Sequence, residues 1–247
     1  MSDTAFTKEQ YNKIYPEGIG NHYWNHARNR IISRFLKKHR LNSCRFIEIG
    51  CGRGVVLDYL RKSGLDCFGV ELGDAYPVEG IRDYIFTNTN AFELPAGLRQ
   101  SIDVVLLFDV IEHLENPSEF LQEIKRKFSH AKHLVITVPA RQELWTNYDV
   151  FNGHFKRYNL ADLKEIAAPD IPLPEACYFN HLLYPVFWMV ARFIKKRGTD
   201  IKAPAGISIL IHRILSVILQ IDFNLFPSRW YGTSIIAVYT LTPRAGV

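Results

Sequence analysis

Three glycines at alternate positions, Gly50, Gly52 and Gly54, follow the apolar run 46–49 and precede a predicted helix. A glycine loop between a strand and a helix lets backbone N–H groups and the helix N-terminus approach a ligand closely. Glu71 ends the next apolar run, and a carboxylate there can accept hydrogen bonds from both hydroxyls of a ribose. These residues predict a site for a cofactor that contains a nucleoside.

The spacing of the glycines argues against a dinucleotide. The dinucleotide fingerprint has glycine at its first, third and sixth positions. Counted from Gly50, the sixth position is Val55, and the chain has no Tyr-x-x-x-Lys pair. A nicotinamide-dependent reductase is therefore the weaker alternative.

With Glu48 in front, the loop reads E-x-G-x-G-x-G and resembles motif I of the class I S-adenosylmethionine-dependent methyltransferases. The resemblance implies S-adenosylmethionine as the cofactor and S-adenosylhomocysteine as the product. It implies further cofactor contacts at the ends of neighbouring strands and in an N-terminal lid, namely Cys51, Glu71, Leu72, Asn90, Ala91, Phe108, Asp109, Tyr23 and Arg28. The family more often has Asp where this chain has Asn90, so the direction of that hydrogen bond stays open.

Other segments resemble the type 11/12 branch of these methyltransferases, over about residues 20–240. They are His-Tyr-Trp with Ala-Arg in 22–28, the Glu-His pair in 108–114, Val-Pro-Ala through Gly-His-Phe-Lys-Arg-Tyr in 138–158, and 232–238. One departure is the lack of a Pro-Gly-Gly turn before the fifth predicted strand. The branch implies an acceptor that is a small molecule, a sugar or a lipid-linked compound, methylated on oxygen or nitrogen.

Methyl transfer needs aligned reactants, exclusion of water and, for some acceptors, removal of a proton. His113 and His154 are the candidate catalytic bases, because an unperturbed imidazole titrates near neutral pH. Arg157, Tyr158 and Trp145 are candidate acceptor-binding residues, since a guanidinium can hold an anionic group with two hydrogen bonds. The alternative for His113 is a structural role, in which Glu112 and His113 only join their loop to a neighbouring helix. The alternative for Arg157 is an ion pair within the protein.

Apolar runs alternate with amphipathic segments along the chain. Strands are predicted near 44–49, 66–71, 84–87, 102–108, 133–138 and 234–240, and helices near 21–38, 54–63, 116–128 and 159–168. The apolar run 102–108 is typical of a central parallel strand that is buried on both faces. Alternating strands and helices predict a doubly wound α/β sheet. The resemblance implies seven strands in a Rossmann-like order with an antiparallel last strand.

The chain divides into four predicted regions. They are an N-terminal helical lid (1–40), a cofactor-binding core (41–168), an apolar helical cap on the acceptor side (169–231) and a last strand that completes the core (232–247).

Two apolar stretches, 182–194 and 207–221, flank the basic run 195–202. Each falls short of the roughly 20 residues that span a bilayer. Two alternatives remain open. The stretches either form buried cap helices over the active site, or they form an interfacial surface for an anionic membrane or a lipid-linked acceptor.

Composition narrows the remaining classes. The net charge of +5 favours an anionic partner only weakly, and no basic domain or base-flipping motif points to nucleic acid. The spacing of the four cysteines, Cys44, Cys51, Cys67 and Cys177, is not that of a metal site, so we expect reduced thiols. The first eight residues lack a signal-peptide core, and we expect a cytoplasmic protein. Peripheral contact with the inner face of the membrane is a further possibility that the apolar stretches leave open. His130 and His133 lack partner ligands, and no metal is expected. A cofactor-binding but catalytically silent scaffold is the alternative to an enzyme.

Overall fold

The computed structural model describes residues 8–167 and 171–241. Within them the strands form one sheet in the order β3-β2-β1-β4-β5-β7-β6. The strands are β1 (Arg45–Ile49), β2 (Asp66–Val70), β3 (Ile85–Phe86), β4 (Val104–Phe108), β5 (His133–Pro139), β6 (Glu175–Phe179) and β7 (Ser234–Thr240). β1 to β5 are parallel, whereas β7 runs antiparallel to both β5 and β6. The predicted Rossmann-like sheet and its antiparallel last strand are confirmed.

Helices cover both faces of the sheet. In the described residues they are α1 (Lys8–Ile14), α2 (Tyr23–Lys38), α3 (Val55–Lys62), α4 (Ala96–Gln100), α5 (Pro117–Lys127), α6 (Asn147–Phe151), α7 (Leu160–Ile166), α8 (Leu183–Met189) and α9 (Ser208–Leu225). The four helices predicted from sequence are α2, α3, α5 and α7, each within two residues of the expected bounds. Residue 168, at the predicted end of α7, lies outside the described residues.

Side chains fix where two of these helices begin. Asn116 caps α5 by accepting the N–H of Glu119, and Pro117 takes the first helical position, as predicted. Asn159 and Asp162 form a capping box at the start of α7. Polar residues at helix starts therefore set the lengths of the loops that approach the site.

β4 lies at the centre of the core. All five of its residues are buried. Val105 and Leu107 pack into the apolar layer on one face, and Val104, Leu106 and Phe108 pack into the layer on the other. Burial of a side chain of this size contributes about 1.5–3 kcal/mol, so the strand ends that form the site rest on a stable frame.

The region predicted as an apolar helical cap, 169–231, also contains a strand of the core sheet. β6 (Glu175–Phe179) belongs to the core sheet and pairs with β7, with Cys177 opposite Ile236. The sequence analysis missed this strand because its partner comes much later in the chain. The run is also too short for periodicity to separate a strand from a helix.

The two apolar stretches are helical. α8 continues into a π-helical turn, Val190–Ile194. α9 extends past the predicted end of its stretch, to Leu225. Within this extension the Asp222 carboxylate accepts the backbone N–H groups of His181 and Leu182 at 2.8 and 2.9 Å. With 18 residues and a mean hydropathy of 1.4, α9 is the one described helix that is long and apolar enough to cross a membrane by length and composition alone. The expectation that neither apolar stretch is long enough to span a bilayer is therefore corrected for α9.

Candidate active site

The ends of four parallel strands open into one cavity of about 990 Å³. Ile49, Val70, Phe108 and Pro139, which end β1, β2, β4 and β5, all line it. The carboxyl ends of parallel strands are where open α/β sheets bind ligands. The cavity is therefore the candidate active site.

The loop between β1 and α3 presents its backbone to this cavity. Gly50, Gly52 and Gly54 have φ angles of 73°, 54° and 78°, which residues with a Cβ rarely adopt. A Cβ on Gly52 would also lie 3.2 Å from the ring of Tyr15. Gly50, Cys51 and Gly52 line the cavity, whereas Gly54 is the N-cap of α3 behind it.

Glu71 lies directly after β2 and lines the cavity beside the glycine loop. Its carboxylate accepts the N–H of Gly52 at 2.8 Å and the N–H of Gly73 at 2.9 Å. The Tyr11 side chain also hydrogen-bonds to this carboxylate. Each carboxylate oxygen has two lone pairs, so one acceptor position remains for a ribose hydroxyl, and a second becomes available if Tyr11 moves away. Tyr11 and Tyr15, which sequence analysis did not identify, line the same part of the cavity.

Arg28 of α2 connects the N-terminal region to the centre of the sheet. Its Nη2 lies 2.7 Å from Asp109 Oδ2 and donates to Thr137 Oγ1 at 2.9 Å. The guanidinium also lies over the rings of Trp24 and Phe108, at 5.0 and 5.6 Å from their centroids. Arg28 is 5% exposed, so this charge is held in a nearly dry environment.

Arg28 Nε and Glu48 Oε2 are among the buried polar atoms of the cavity-lining residues that have no hydrogen-bond partner in the described part of the chain. Burial raises the pKa of Glu48 to about 8, with Arg28 opposing the shift and Glu71 and Asp109 adding to it. An unsatisfied guanidinium donor and an unsatisfied carboxyl oxygen match the carboxylate and the ammonium of an amino acid. The methionine end of S-adenosylmethionine, the expected cofactor, carries both groups.

The expected adenine side is formed by Leu72, Asn90 and Ala91, which all line the cavity. Asn90 Oδ1 accepts the N–H of Phe92 at 3.0 Å and caps the 3-10 helix Ala91–Glu93. This is the hydrogen bond of a turn asparagine, and it leaves the amide NH₂ as the donor that faces other partners.

On the acceptor side, Glu112, His113 and His154 line the cavity together. The His113 and His154 rings meet edge to face, with centroids 4.8 Å apart. Burial, together with the smaller effect of the neighbouring His154, lowers the pKa of His113 to about 3. An imidazole with so low a pKa is a weak proton acceptor at neutral pH. This environment departs from the unperturbed imidazole that the sequence analysis assumed for the base.

Asp149 of α6 organises the loop that carries His154. Its Oδ1 lies 3.0 Å from His154 Nδ1 and accepts from Arg157 Nε at 2.7 Å, and its Oδ2 accepts from Arg157 Nη2 at 3.1 Å. Arg157 lines the cavity, but its guanidinium is committed to this buried ion pair. The internal ion pair, which was the alternative to acceptor binding by Arg157, is therefore present in the fold.

Two predicted acceptor-binding residues lie elsewhere. Tyr158 is buried in the core, and its hydroxyl donates to the carbonyl of Ile111 at 3.0 Å. Trp145 follows the short 3-10 helix Gln142–Leu144. Neither residue is among those that line the cavity in the described parts of the chain.

The outer wall comes from segments that are distant in sequence. Tyr23, predicted in the lid, lines the cavity and donates its N–H to His212 Nδ1 of α9 at 3.0 Å. Phe187 and Arg197 line it as well, with the guanidinium 4.7 Å from the ring centroid. The sequence analysis included Phe187, Arg197 and His212 in the acceptor-side region 169–231 but did not assign them to the cavity wall.

Known proteins resemble this chain in sequence and in fold. A curated relative from Saccharophagus degradans, named "Ubiquinone biosynthesis O-methyltransferase", is 32% identical over 85 residues, or 30% of this chain and 35% of the relative. A Mycolicibacterium smegmatis protein, named a probable S-adenosylmethionine-dependent methyltransferase, is 29% identical over 154 residues, or 58% of this chain and 57% of that protein. These matches thus span about a third to somewhat over half of the relatives' own length.

The solved magnesium protoporphyrin IX methyltransferase of Synechocystis PCC 6803, with bound SAH, has the same fold at 14% identity. The alignment covers 94% of this chain and 93% of that one, with a TM-score of 0.51. The family model described as "Methyltransferase domain" matches residues 21–168, which hold the glycine loop, Glu71 and the Asp109 to His154 side of the cavity. The chain therefore belongs to the class I S-adenosylmethionine-dependent methyltransferases, and S-adenosylmethionine is its cofactor.

Proposed function

We propose that this methyltransferase methylates a hydroxyl oxygen of a hydrophobic, lipid-linked acceptor. The observation that carries the proposal is the outer wall of the cavity. Phe187, Arg197, Lys202 and His212 line it, and they come from the region that exposes the longest apolar surface of the described chain. An acceptor with an apolar tail therefore meets the cavity and an apolar surface side by side.

Room for a second ligand supports the proposal. Small-molecule pockets measure about 300–1,000 Å³, so a cavity of about 990 Å³ lies at the upper end of that range. The glycine loop and Glu71 occupy one end and the Glu112, His113 and His154 cluster the other. When bound, S-adenosylmethionine supplies the methyl group: its sulfur–carbon bond breaks with the electron pair left on sulfur, the carbon–oxygen bond forms, and the hydroxyl proton is released. The name of the Saccharophagus relative favours oxygen as the acceptor atom.

α9 buries polar side chains and exposes apolar ones, which is the reverse of the usual arrangement of a helix on a protein surface. Its buried residues include Ser216, Gln220 and Asp222. His26 Nδ1 lies 3.0 Å from Ser216 Oγ, and Arg30 donates to Gln220 Oε1 at 3.3 Å, so polar contacts hold the helix on α2. The opposite face exposes a stripe of large apolar side chains, namely Ile207, Leu210, Ile211, Ile214, Ile218, Ile221 and Leu225. An amphipathic helix in water buries its apolar face, so this stripe favours contact with another apolar phase.

Charge and aromatic residues next to the stripe favour an anionic lipid surface. Residues 182–231 contain seven Lys or Arg and two Asp or Glu, so this fifth of the chain carries a formal charge of +5, equal to that of the whole chain. Trp188, Trp230 and Tyr231 are exposed beside the stripe, and such rings prefer the level of lipid headgroups. Basic residues beside an apolar face attract anionic lipids. These features support peripheral membrane contact through α8 and α9.

Two measurements test the proposed function. In the first, the purified protein and S-adenosylmethionine are incubated with alkylated phenols, catechols, amines and soluble sugars, and products are identified by mass spectrometry. We expect one added methyl group on the hydroxyl of an alkylated acceptor. Methylation of amines or of tail-free sugars alone would contradict the assignment.

The second measurement is flotation with vesicles of phosphatidylcholine, with and without anionic phosphatidylglycerol. We expect binding that needs the anionic lipid and weakens with salt. Ile214→Glu with Ile218→Glu should abolish it and leave affinity for S-adenosylhomocysteine unchanged. Val150→Glu, at an apolar residue outside α9 that is at least as exposed, is the control. Failure to float, together with a dimer in solution that the double variant dissociates, would assign the stripe to a second copy of the chain.

A further inference from the structure

Three potential metal ligands meet on the acceptor side of the cavity. Glu112, His113 and His154 each offer one ligand atom, and these atoms lie within 4.8 Å of one another. Glu112 is completely buried, and both of its carboxyl oxygens lack a hydrogen-bond partner among the described residues. A buried carboxyl group with no partner is costly, so its retention at a ligand-binding cavity points to a group that it binds.

Both imidazoles have hydrogen-bond partners that orient the ring. His154 Nδ1 lies 3.0 Å from the Asp149 carboxylate, and backbone groups of Asn152 and Gly153 form hydrogen bonds to the His113 ring. Metal-ligating histidines have this arrangement in general, with one nitrogen on the ion and the other donating to a carboxylate or a carbonyl. His154 lines the cavity, whereas the Asp149 carboxylate is fully buried and is not among the lining residues described.

The two loops that supply these residues are joined to each other. The N–H of Phe155 donates to the carbonyl of Glu112 at 2.7 Å, and the Tyr158 hydroxyl donates to the carbonyl of Ile111 at 3.0 Å. Arg157 fixes Asp149 on the far side. The three side chains therefore lie on a rigid scaffold, which a site of defined coordination geometry requires.

We propose that Glu112, His113 and His154 bind one divalent transition-metal ion. Two imidazoles and one carboxylate form a known catalytic zinc ligand set, in which a further position stays open for water or substrate. Ligands on a tetrahedral ion with bonds of about 2.1 Å lie about 3.4 Å apart, so the side chains need to close by roughly an ångström on binding. All three residues line the cavity, so the open position faces the space for the acceptor.

This ion gives the histidines a role other than proton acceptance, and this part of the inference rests on the proposed function. An acceptor hydroxyl bound to the ion has a lowered pKa and releases its proton to solvent water. Its oxygen is then the nucleophile for the methyl carbon, and the histidines hold the ion throughout.

Cobalt titration of metal-free protein tests the site without relying on activity. The protein is dialysed against a chelator, and Co²⁺ is added while its visible absorption is recorded. We expect one Co²⁺ per chain, a spectrum of low-symmetry coordination and displacement by Zn²⁺. Glu112→Gln and His154→Gln should each weaken Co²⁺ binding by at least about tenfold. His130→Gln, at an exposed histidine outside the site, should match the wild type.

Titration with S-adenosylhomocysteine shows that each variant is folded. Absence of a cobalt spectrum in protein that binds S-adenosylhomocysteine would overturn the inference, and so would equal Co²⁺ affinity in the wild type and both ligand variants. Full methyl transfer by chelator-treated protein would overturn the role of the ion and leave the proposed function intact. A cobalt site in a protein that methylates no hydroxyl acceptor would overturn the proposed function and leave the site intact.

Discussion

Arg28 Nη2 lies 2.7 Å from Asp109 Oδ2, and this contact joins the first long helix to the end of the central strand. Thr137 Oγ1 lies between them, accepting from Arg28 at 2.9 Å and donating to Asp109 Oδ1 at 3.2 Å. Asp109 has a positive φ of 58°, an unusual conformation for a residue with a side chain. The network thus holds the edge of the cavity in a conformation that the local sequence does not favour.

Arg28→Gln should lower both stability and cofactor affinity. The change leaves Asp109 without its cation, and loss of a charged partner costs about 1–3 kcal/mol. Urea unfolding measures the stability, and calorimetry with S-adenosylhomocysteine measures the affinity. Arg34→Gln, at an exposed arginine of the same helix, is the control and should change neither. Unchanged affinity for S-adenosylhomocysteine in Arg28→Gln would remove the role of Arg28 at the cofactor.

Gly52→Ala should weaken cofactor binding by tenfold or more. The new Cβ forces a strained φ and lies 3.2 Å from the Tyr15 ring, so the loop must shift away from the N–H contact with Glu71. Calorimetry with S-adenosylhomocysteine measures the effect. Gly97→Ala is the matched control, because its Cβ meets nothing within 4 Å and alanine favours the helix there. Wild-type affinity in Gly52→Ala would show that the loop adapts.

The sequence predicted the half of the site that is built from local patterns. Gly50, Gly52 and Glu71 each lie at the end of a strand, and a strand end is visible as the point where an apolar run stops. The same reasoning located every parallel strand to within two residues. Local signals suffice there because parallel neighbours place their carboxyl ends at one edge of the sheet.

The rest depends on contacts between distant segments. Tyr11 and Tyr15 line the cofactor end because α1 folds over the glycine loop, and nothing in the spacing of residues 8–15 encodes that position. His154 was identified as a candidate, but its contact with His113 follows from the meeting of two loops that are about 40 residues apart in the sequence. β6 was missed for the same reason, since the strand with which it pairs, β7, comes more than 50 residues later in the chain.

Acid should destabilise the contact between α2 and α9. His22 Nδ1 accepts the N–H of Trp24, and His212 Nδ1 accepts the N–H of Tyr23, so both nitrogens must stay unprotonated. Burial, with smaller effects of His212 and Arg197, lowers the pKa of His22 to about 4. The unfolded chain, with a histidine pKa near 6.5, binds more protons between pH 4 and 6.5, so stability falls as pH drops through that window.

Urea unfolding from pH 7 to pH 4 measures this loss. His22→Asn keeps an N-cap acceptor but does not titrate, so its stability should fall less steeply with acid than that of the wild type. His130→Asn, at an exposed histidine, should leave the slope unchanged. Equal slopes in the wild type and His22→Asn would show that other groups carry the acid sensitivity.

Asp149→Asn should destabilise the protein by about 3–5 kcal/mol, because it leaves Arg157 as a buried charge without a counter-ion. Burial raises the pKa of Asp149, yet the hydrogen bond from His154 and the charge of Arg157 lower it to about 2, so the carboxylate is ionised at neutral pH. Urea unfolding at pH 7 measures the change. Asp58→Asn, in an exposed pair with Lys62, makes the same chemical change and should cost at most about 1 kcal/mol.

The double variant Asp149→Asn with Arg157→Met should recover part of the loss, since it removes both buried charges together. A double variant as unstable as the sum of the two single variants would show that Asp149 stabilises the loop through the Thr146 cap and His154, and not through Arg157.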